Sequence, residues 1–501
     1  MQTPAVDYSD VQGLVRYGYS SLNEACLLLL TIRDVNAARS WLTEAPISNA
    51  IQLAQAPDTA LQIAFTADGL RALQLPLSVL AGFSDEFLAG MTDPNRSRRL
   101  GDVAENSPAN WHWGGPNTVP HAVLMLYAKK GQLETWTARV QGPNFAAAFD
   151  ILRALPTSDL DNTEPFGFAD GISQPQTDFD RQRKIKDNGN GNELEYGNLV
   201  ALGEFLLGYP NEYDRYTDRP LLPQSELASS ILSAAEDAPD KLDLGKNGTY
   251  LVLRTLSQDV RSFWQFVDKA ANQDPQARKK LAEAMVGRSM DGHPLVPLSQ
   301  QSIAGIDAAG ASLNQFTYDS DPNGTRCPFG AHIRRANPRN ADLPPGSSGL
   351  LKHILHIFGF SITGFRNDVM ASTRFHRILR RGREYGPPMT VDEALASTEP
   401  DTAERGIQFI CLSANICRQF EFVQGSWLMS TKFNALTEES DPLLGNRQPV
   451  RGCPFTDTFS VPQETGLRRR ITGLPQFIRV RGGAYFFLPS LRAIQYLSQL
   501  K

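Results

Sequence analysis

Apolar positions along this chain gather in short runs that polar, turn-rich segments separate. Ala25 to Ile32 is an almost unbroken apolar run of strand length, framed by Glu24 and Asp34. Val35 to Leu42 follows with helical spacing, and Ala122 to Ala128 reads as a second strand. Further on, the pattern predicts a strand at Thr249 to Thr255, then a helix through Phe263 and Trp264. It also predicts a helical segment near His332, strands at Phe375 to Arg381 and Ile407 to Ser413, and a helix beginning near Asn415. The pattern is that of an α+β fold. Two polar stretches punctuate it. Asp178 to Asn198 is rich in Gly and Asn and reads as a surface loop; its Asp187 to Asn190 resembles a calcium loop only loosely, without the register of an EF-hand. Ser225 to Asn247 marks a boundary between an N-terminal domain, 1–240, and a C-terminal domain, 241–501. Each half repeats a similar mix of strands and helices without a repeat in the sequence, so duplication is an expectation about architecture.

Composition narrows the class. At 501 residues the chain exceeds the usual range of one hydrophobic core, and 41% hydrophobic with 21% charged residues is ordinary globular composition. The formal net charge of -5 offers no general attraction to phosphate backbones or anionic lipids, so neither nucleic acid nor a membrane is an expected partner. The run at Ala25 to Ile32 is far short of the ~20 apolar residues of a membrane span and lacks the basic start of a secretory signal, which points to a cytoplasmic protein. Five scattered cysteines (Cys26, Cys327, Cys411, Cys417, Cys453) contain no CxxC pair for zinc and no CxxCH for covalent haem, and fit reduced thiols.

Of seven histidines, most sit in unremarkable settings: His112 lies between tryptophans, His121 begins a strand, His293 is in a loop, and His353 and His356 share one helical face. His332 differs, because it stands between Cys327-Pro328-Phe329-Gly330-Ala331 and an arginine-rich run, Ile333-Arg334-Arg335-Ala336-Asn337-Pro338-Arg339. A neutral imidazole is a good iron ligand, and guanidinium groups pair with carboxylates such as haem propionates. On a helix Arg335 lies one turn from His332. A second signal is Gly167-Phe168-Ala169-Asp170-Gly171, continuing through Ile172-Ser173-Gln174-Pro175, where flanking glycines let the backbone turn sharply and approach a flat ligand. A third is Phe375 to Gly382, in which strand alternation puts His376, Ile378 and Arg380 on one face. A buried face carrying an arginine needs an anionic partner, and a ligand can supply one. Taken alone, His332 reads more readily as a structural histidine beside surface arginines, and Asp170 as a turn former.

Together these segments resemble the dye-decolorizing peroxidase family. Gly167 to Gly171 fits that family's GxxDG signature, His332 falls at its proximal haem ligand, and Arg380 falls at its distal arginine. Gly203 to Pro210, Asn247 to Val252 and Arg418 to Glu421 are family-like as well, and the length with the long insertion between His332 and Arg380 is similar to the long-chain branch. The resemblance implies two ferredoxin-like halves forming a dimeric-barrel-like fold, with one non-covalent haem b in the second half. It implies His332 as the metal ligand, and Asp170 and Arg380 as catalytic residues acting on hydrogen peroxide. Ile172, Ser173, Arg335, His376, Ile407, Phe409 and Asn415 are then expected around the cofactor, with Ile407 and Phe409 walling its distal side. Phenols, aromatic amines and dyes are the implied reducing substrates. One position departs from the pattern. Where many relatives carry the aspartate that bonds the proximal histidine, this chain shows Asn415, so Glu421 would have to substitute or His332 would gain less imidazolate character.

Two other classes are open at this level. A haem-storage or haem-delivery protein would keep His332 and Arg335 but has no need of an acid/base group and an arginine together. A hydrolase built on Asp170 would need a partner carboxylate in a matching context. The pairing of Asp170 with Arg380 favours the peroxidase.

Overall fold

The computed structural model describes residues 6–181, 198–297, 311–318, 320–339, 373–397, 399 and 401–500. The readings made above for Asp187 to Asn190, His353 and His356 lie outside these residues. The first half contributes β1 (Glu24–Ile32), α1 (Val35–Glu44), β2 (Thr59–Phe65), β3 (Ala122–Ala128), α2 (Leu133–Val140) and β4 (Phe149–Pro156). The second contributes β5 (Thr249–Gln258), α3 (Val260–Ala270), α4 (Pro275–Val286), α5 (His332–Ala336), β6 (Leu379–Arg380), β7 (Arg383–Tyr385), β8 (Gly406–Ser413), β9 (Ile478–Leu488) and α6 (Leu491–Ser498). Local chemistry sets several of these ends. The Asp34 side chain caps α1 through the Ala37 N–H, Asp259 caps α3 through Ser262, and Gly287 at φ +98° stops α4.

The strands form one antiparallel nine-stranded sheet in the order β6-β8-β5-β9-β2-β3-β1-β4, with β7 also pairing β8. Taken separately, and with β6 and β7 counted as one broken edge strand on β8, both sets of strands follow the order fourth, first, third, second, which is the ferredoxin-like arrangement twice over. The halves join where β9 meets β2 at Phe487 and Phe65, and the two outer edges meet where the Ser158 N–H, just past β4, donates to the Glu384 carbonyl in β7 (2.8 Å). The fold is thus α+β with two ferredoxin-like halves. The division expected at 240/241 falls just before a short strand, Lys241–Asp243, that pairs with Leu221–Pro223, and α6 from the chain's end packs on α1.

Apart from the edge strand β4, which is largely exposed, the sheet is buried on both faces, which explains why several of its strands read as near-continuous apolar runs. Leu27, Leu29, Tyr127, Leu251, Leu253, Ile410 and Phe486 pack in one layer. Leu28, Leu30, Ile63, Leu126, Val252, Cys411 and Phe487 pack in the other, together with Trp41, Trp136 and Phe263 from the helices. No helix among the described residues is long and apolar enough to cross a membrane.

Two elements differ from expectation. The strand predicted over Phe375 to Arg381 is reduced to Leu379–Arg380, with His376 in a turn, because side chains rather than a neighbouring strand satisfy the backbone. Arg418 donates to the Phe375 carbonyl (2.8 Å) and Gln419 to that of Arg377 (2.5 Å). The helix expected near Asn415 is two wide π-helical turns, Cys417–Glu421 and Val423–Leu428.

Phe487 at the junction packs with Phe83 (ring centroids 4.9 Å apart) and Tyr250 (6.4 Å). Phe487→Ala is expected to cost about 3–5 kcal/mol, the range for emptying a buried aromatic site. Urea unfolding of the variant checks this, and a loss below about 1 kcal/mol would show that the junction does not depend on this ring.

Candidate active site

His332 opens α5, and the loop before it is pinned by a buried carboxylate: Asp321 accepts the N–H groups of Arg326 (3.2 Å) and Cys327 (2.9 Å) and the Arg334 guanidinium (3.0 Å). The His332 Nδ1 lies 3.0 Å from Oδ2 of Asp441, a fully buried residue. The other oxygen of Asp441 accepts the N–H groups of Leu443 (2.9 Å) and Leu444 (2.8 Å). Burial opposes charge on the imidazole, but the Asp441 carboxylate outweighs it and holds the His332 pKa above its ordinary value. Burial likewise opposes ionisation of Asp441, yet His332 and the backbone N–H groups keep its carboxyl below the usual range. Asp441 is therefore the acceptor and Nδ1–H the donor. The lone pair is left on Nε2, and the side chain keeps 28% of its surface open.

This corrects the expectation for the partner of His332. Asn415 is not that partner, because its Oδ1 accepts the Arg418 N–H (2.8 Å). Nor is Glu421, which is buried between Arg96 (2.9 Å to each oxygen), Arg99 (3.4 Å) and the Tyr485 hydroxyl (2.9 Å). Asp441 lies 109 residues beyond His332 in sequence. Its only local signal is an aspartate that bonds the backbone N–H groups two and three residues on, which is common among turn residues.

Arg335 also departs from expectation. Its guanidinium is fully buried and donates to the carbonyls of Trp427 (2.9 Å), Ser430 (2.9 Å) and Glu439 (2.6 Å), so it staples α5 to the chain ahead of Asp441 and does not reach for a ligand. His376 is committed as well. Its ring stacks on Phe422 (centroids 3.6 Å apart, 6° between planes), meets Trp427 edge-on, and bonds the Arg418 carbonyl through Nδ1. Burial pushes its pKa down to about 4, so it is neutral near pH 7.

The Asp170 loop turns on two glycines at positive φ, Gly167 (+94°) and Gly171 (+77°). Asp170 donates its N–H to the Asn162 carbonyl (3.0 Å), and Ala169 donates to that of Met290 (2.9 Å). Glu164, which the sequence reading did not single out, braces the loop by accepting the N–H groups of Phe166 and Phe168 (both 3.0 Å) and the Gln258 amide of β5 (2.9 Å). Arg380 reaches this loop from β6. Its Nη1 lies 3.3 Å from Oδ1 of Asp170, Nη2 donates to the Ser173 carbonyl (3.3 Å), and its backbone N–H donates to the Gln174 side chain (3.0 Å).

The pair is long for a charge-assisted bond, and both side chains keep about a third of their surface open (33% and 32%), which leaves bonding capacity for a third molecule. Ser173 also bonds Asn314 (3.0 Å) through its hydroxyl, and the tip of Ile172 lies against Gly292. Arg380 pairs with Cys411 across the ladder, so it shares a sheet face with the half-buried Phe409 and Ile407, two and four residues back from Cys411. Burial, with the charge of Asp170 adding, pushes the carboxyls of Glu164 and Glu384 up to about 7. The charges of Arg380 and Glu164 both act on His332, and one turn, Gly287 to Gly292, lies against Ile333 next to His332 and against Ala169 and Ile172 on either side of Asp170.

No protein-family model matches the chain. It is 28% identical to the dye-decolorizing peroxidase msp1 of Mycetinis scorodonius, over 98% of this chain and 87% of that protein. Its fold is similar to the crystal structure of a fungal DyP-type peroxidase from Auricularia auricula-judae, with TM-score 0.70 and 24% identity over 99% of this chain and 100% of that one. A dye-decolorizing peroxidase in complex with 2,6-dimethoxyphenol is similar to the same degree, with TM-score 0.70 and 22% identity over 98% of this chain and 100% of that one.

Asp441→Asn removes the charge that opposes desolvation at His332, so the imidazole pKa is expected to fall. A pH titration by NMR of protein labelled with 13C-histidine reads this directly. An unmoved titration would remove Asp441 as the charge partner.

Proposed function

We propose that this chain, a member of the dye-decolorizing peroxidase family, reduces hydrogen peroxide to water and draws the electrons from bulky aromatic donors such as phenols, aromatic amines and dyes. The observation that carries this reading is the open Asp170–Arg380 pair together with an imidazole whose far nitrogen is held by a buried carboxylate, the two segments meeting on the Gly287 to Gly292 turn. That donor set fits a haem. Among the described residues no cluster of three or more His, Cys, Asp or Glu side chains is placed to hold a bare metal ion. A single imidazole is, however, the ordinary axial ligand of haem iron, and a carboxylate on its other nitrogen fixes the tautomer and raises its basicity.

His332 would hold the iron of one non-covalent haem b. Ile407 and Phe409 would wall its distal side, with Ile172 and Ser173 at its edge. A bound haem supplies the redox centre that accepts oxidising equivalents from peroxide. The protein's part is proton handling and electrostatics. Asp170, as carboxylate, would take a proton from one oxygen of the peroxide and return it to the other, which would depart as water, with the oxidising equivalents of the O–O bond passing to the bound haem. Arg380 positions the peroxide and offsets the negative charge that grows as the O–O bond breaks. The backbone bond from Arg380 to Gln174 and the bracing of the loop by Glu164 keep these two side chains in register. A reducing, cytoplasmic setting is part of the proposal, supported by five cysteines that are all unpaired.

Asp170→Asn keeps the size of the side chain but cannot accept a proton, and is expected to slow the reaction with peroxide ~100-fold or more. Arg380→Leu is expected to cost a comparable factor, ~100-fold, through lost charge stabilisation. Stopped-flow mixing with peroxide, following the Soret band, tests both; wild-type rates in both variants would end the distal assignment. His332→Ala should purify with little haem, and an unchanged haem content and spectrum would remove His332 as the ligand.

A further inference from the structure

Six arginines among the described residues show two ways in which this molecule matches a guanidinium withdrawn from water. Arg219, Arg254 and Arg334 face buried carboxylates, namely Asp243, Asp102 and Asp321. Buried Arg335 and the half-buried Arg381 and Arg447 face backbone carbonyls, and each has both terminal nitrogens bonded. Arg288 follows neither pattern. It is 5% exposed, and its Nη1 donates to the carbonyls of Gly292 (2.7 Å) and Leu313 (3.0 Å), but Nη2 is buried without a partner. Among the described residues no carboxylate forms an ion pair with it, and the charged groups that bear on it most are two further cations, Arg339 and Arg380. Burial first, and then these cations, push its pKa down to about 10. A guanidinium sealed from water with an empty donor and, among the described residues, no carboxylate paired with it is costly unless an anion completes the site.

The place of Arg288 in the fold says where such an anion would lie. It sits in a tight turn that packs against both sides of the candidate site. A Cβ on Gly287 would come within 2.5 Å of Ile333 in α5 and 3.2 Å of the Cys327 sulfur. A Cβ on Gly292 would come within 2.1 Å of Ile172 and 3.2 Å of Ala169 in the Asp170 loop. Between these two glycines the Met290 carbonyl accepts the N–H of Ala169, next to Asp170. The turn is a wedge between the segment that carries His332 and the segment that carries Asp170, which is where the rim of a flat ligand held between them would emerge.

We propose that Arg288 is the anchor for a carboxylate of the bound cofactor, the role that the sequence pattern had pointed to for Arg335. The inference rests on the haem reading given above. A haem propionate is a carboxylate on the rim of the ring, and the fork of a guanidinium matches it with two parallel N–H groups. The partnership would meet the empty Nη2 and neutralise the local excess of positive charge. It would also tie the ring to the wedge that spaces the two halves of the site.

The test uses the full chain stripped of haem and titrated with iron protoporphyrin IX or with its dimethyl ester, which lacks both carboxylates. Release is followed by transfer to apomyoglobin. The wild type is expected to hold the diacid at least about 10-fold more tightly than the diester, the scale of a charge-assisted hydrogen bond lost from a buried site. Arg288→Gln keeps an amide for the Gly292 carbonyl but no charge, and is expected to lose about that factor for the diacid and little for the diester, so that the ratio collapses. Arg288→Lys, with charge but no fork, should fall between. A diacid-to-diester ratio near one in the wild type, which needs no variant to fold, overturns the proposal. So does an Arg288→Gln protein, native by thermal unfolding, that keeps the full wild-type ratio. Failure of the wild type to bind either form would instead bring down the haem reading itself.

Discussion

A central sheet buried on both faces is the constraint from which the rest of this structure follows. Apolar side chains fill both layers around β1, β3, β5 and β9, and burying an unpaired polar group there costs several kcal/mol. Chemistry is therefore displaced to the margins of the sheet. Arg380 stands on the two-residue strand β6 at one edge, Asp170 on a glycine-hinged loop, and His332 at the start of a five-residue helix. The sheet supplies rigidity through β5 and β8. The margins supply the open valences that a reacting molecule needs.

Holding those margins still requires a second set of interactions, and the molecule uses buried carboxylates as braces. Asp321, Asp441 and Glu164 each accept two backbone N–H groups and at least one side-chain donor, so each fixes a loop and a functional side chain together. The same carboxylates set the electrostatics. Asp441 makes His332 a stronger base than an isolated imidazole, and burial, with the charge of Asp170 adding, pushes the Glu164 carboxyl up to about 7. Structural support and tuning of the site are here one set of atoms. Arginines do the complementary work: Arg335 and Arg418 gather carbonyls that the irregular segments around α5 and the π-helical turns would otherwise leave unmet.

Local sequence determined a good deal of this. Largely apolar runs marked β1, β3, β5 and β8, because a strand buried on both faces is apolar at most positions and keeps a polar one such as Arg254 only where a partner meets it. The glycines around Asp170 marked a loop that only residues without a Cβ can follow, and His332 stood out through its arginine-rich setting. Those signals are local, and the forces behind them act within a few residues. What only the tertiary structure decided is which group serves which. Asp441 rather than Asn415 or Glu421 bonds His332, Arg335 holds carbonyls, and His376 is locked in an aromatic stack, because contacts made 42 to 109 residues away consume or supply each valence. A residue's type states what it can bond, and the fold decides whether that capacity is already spent.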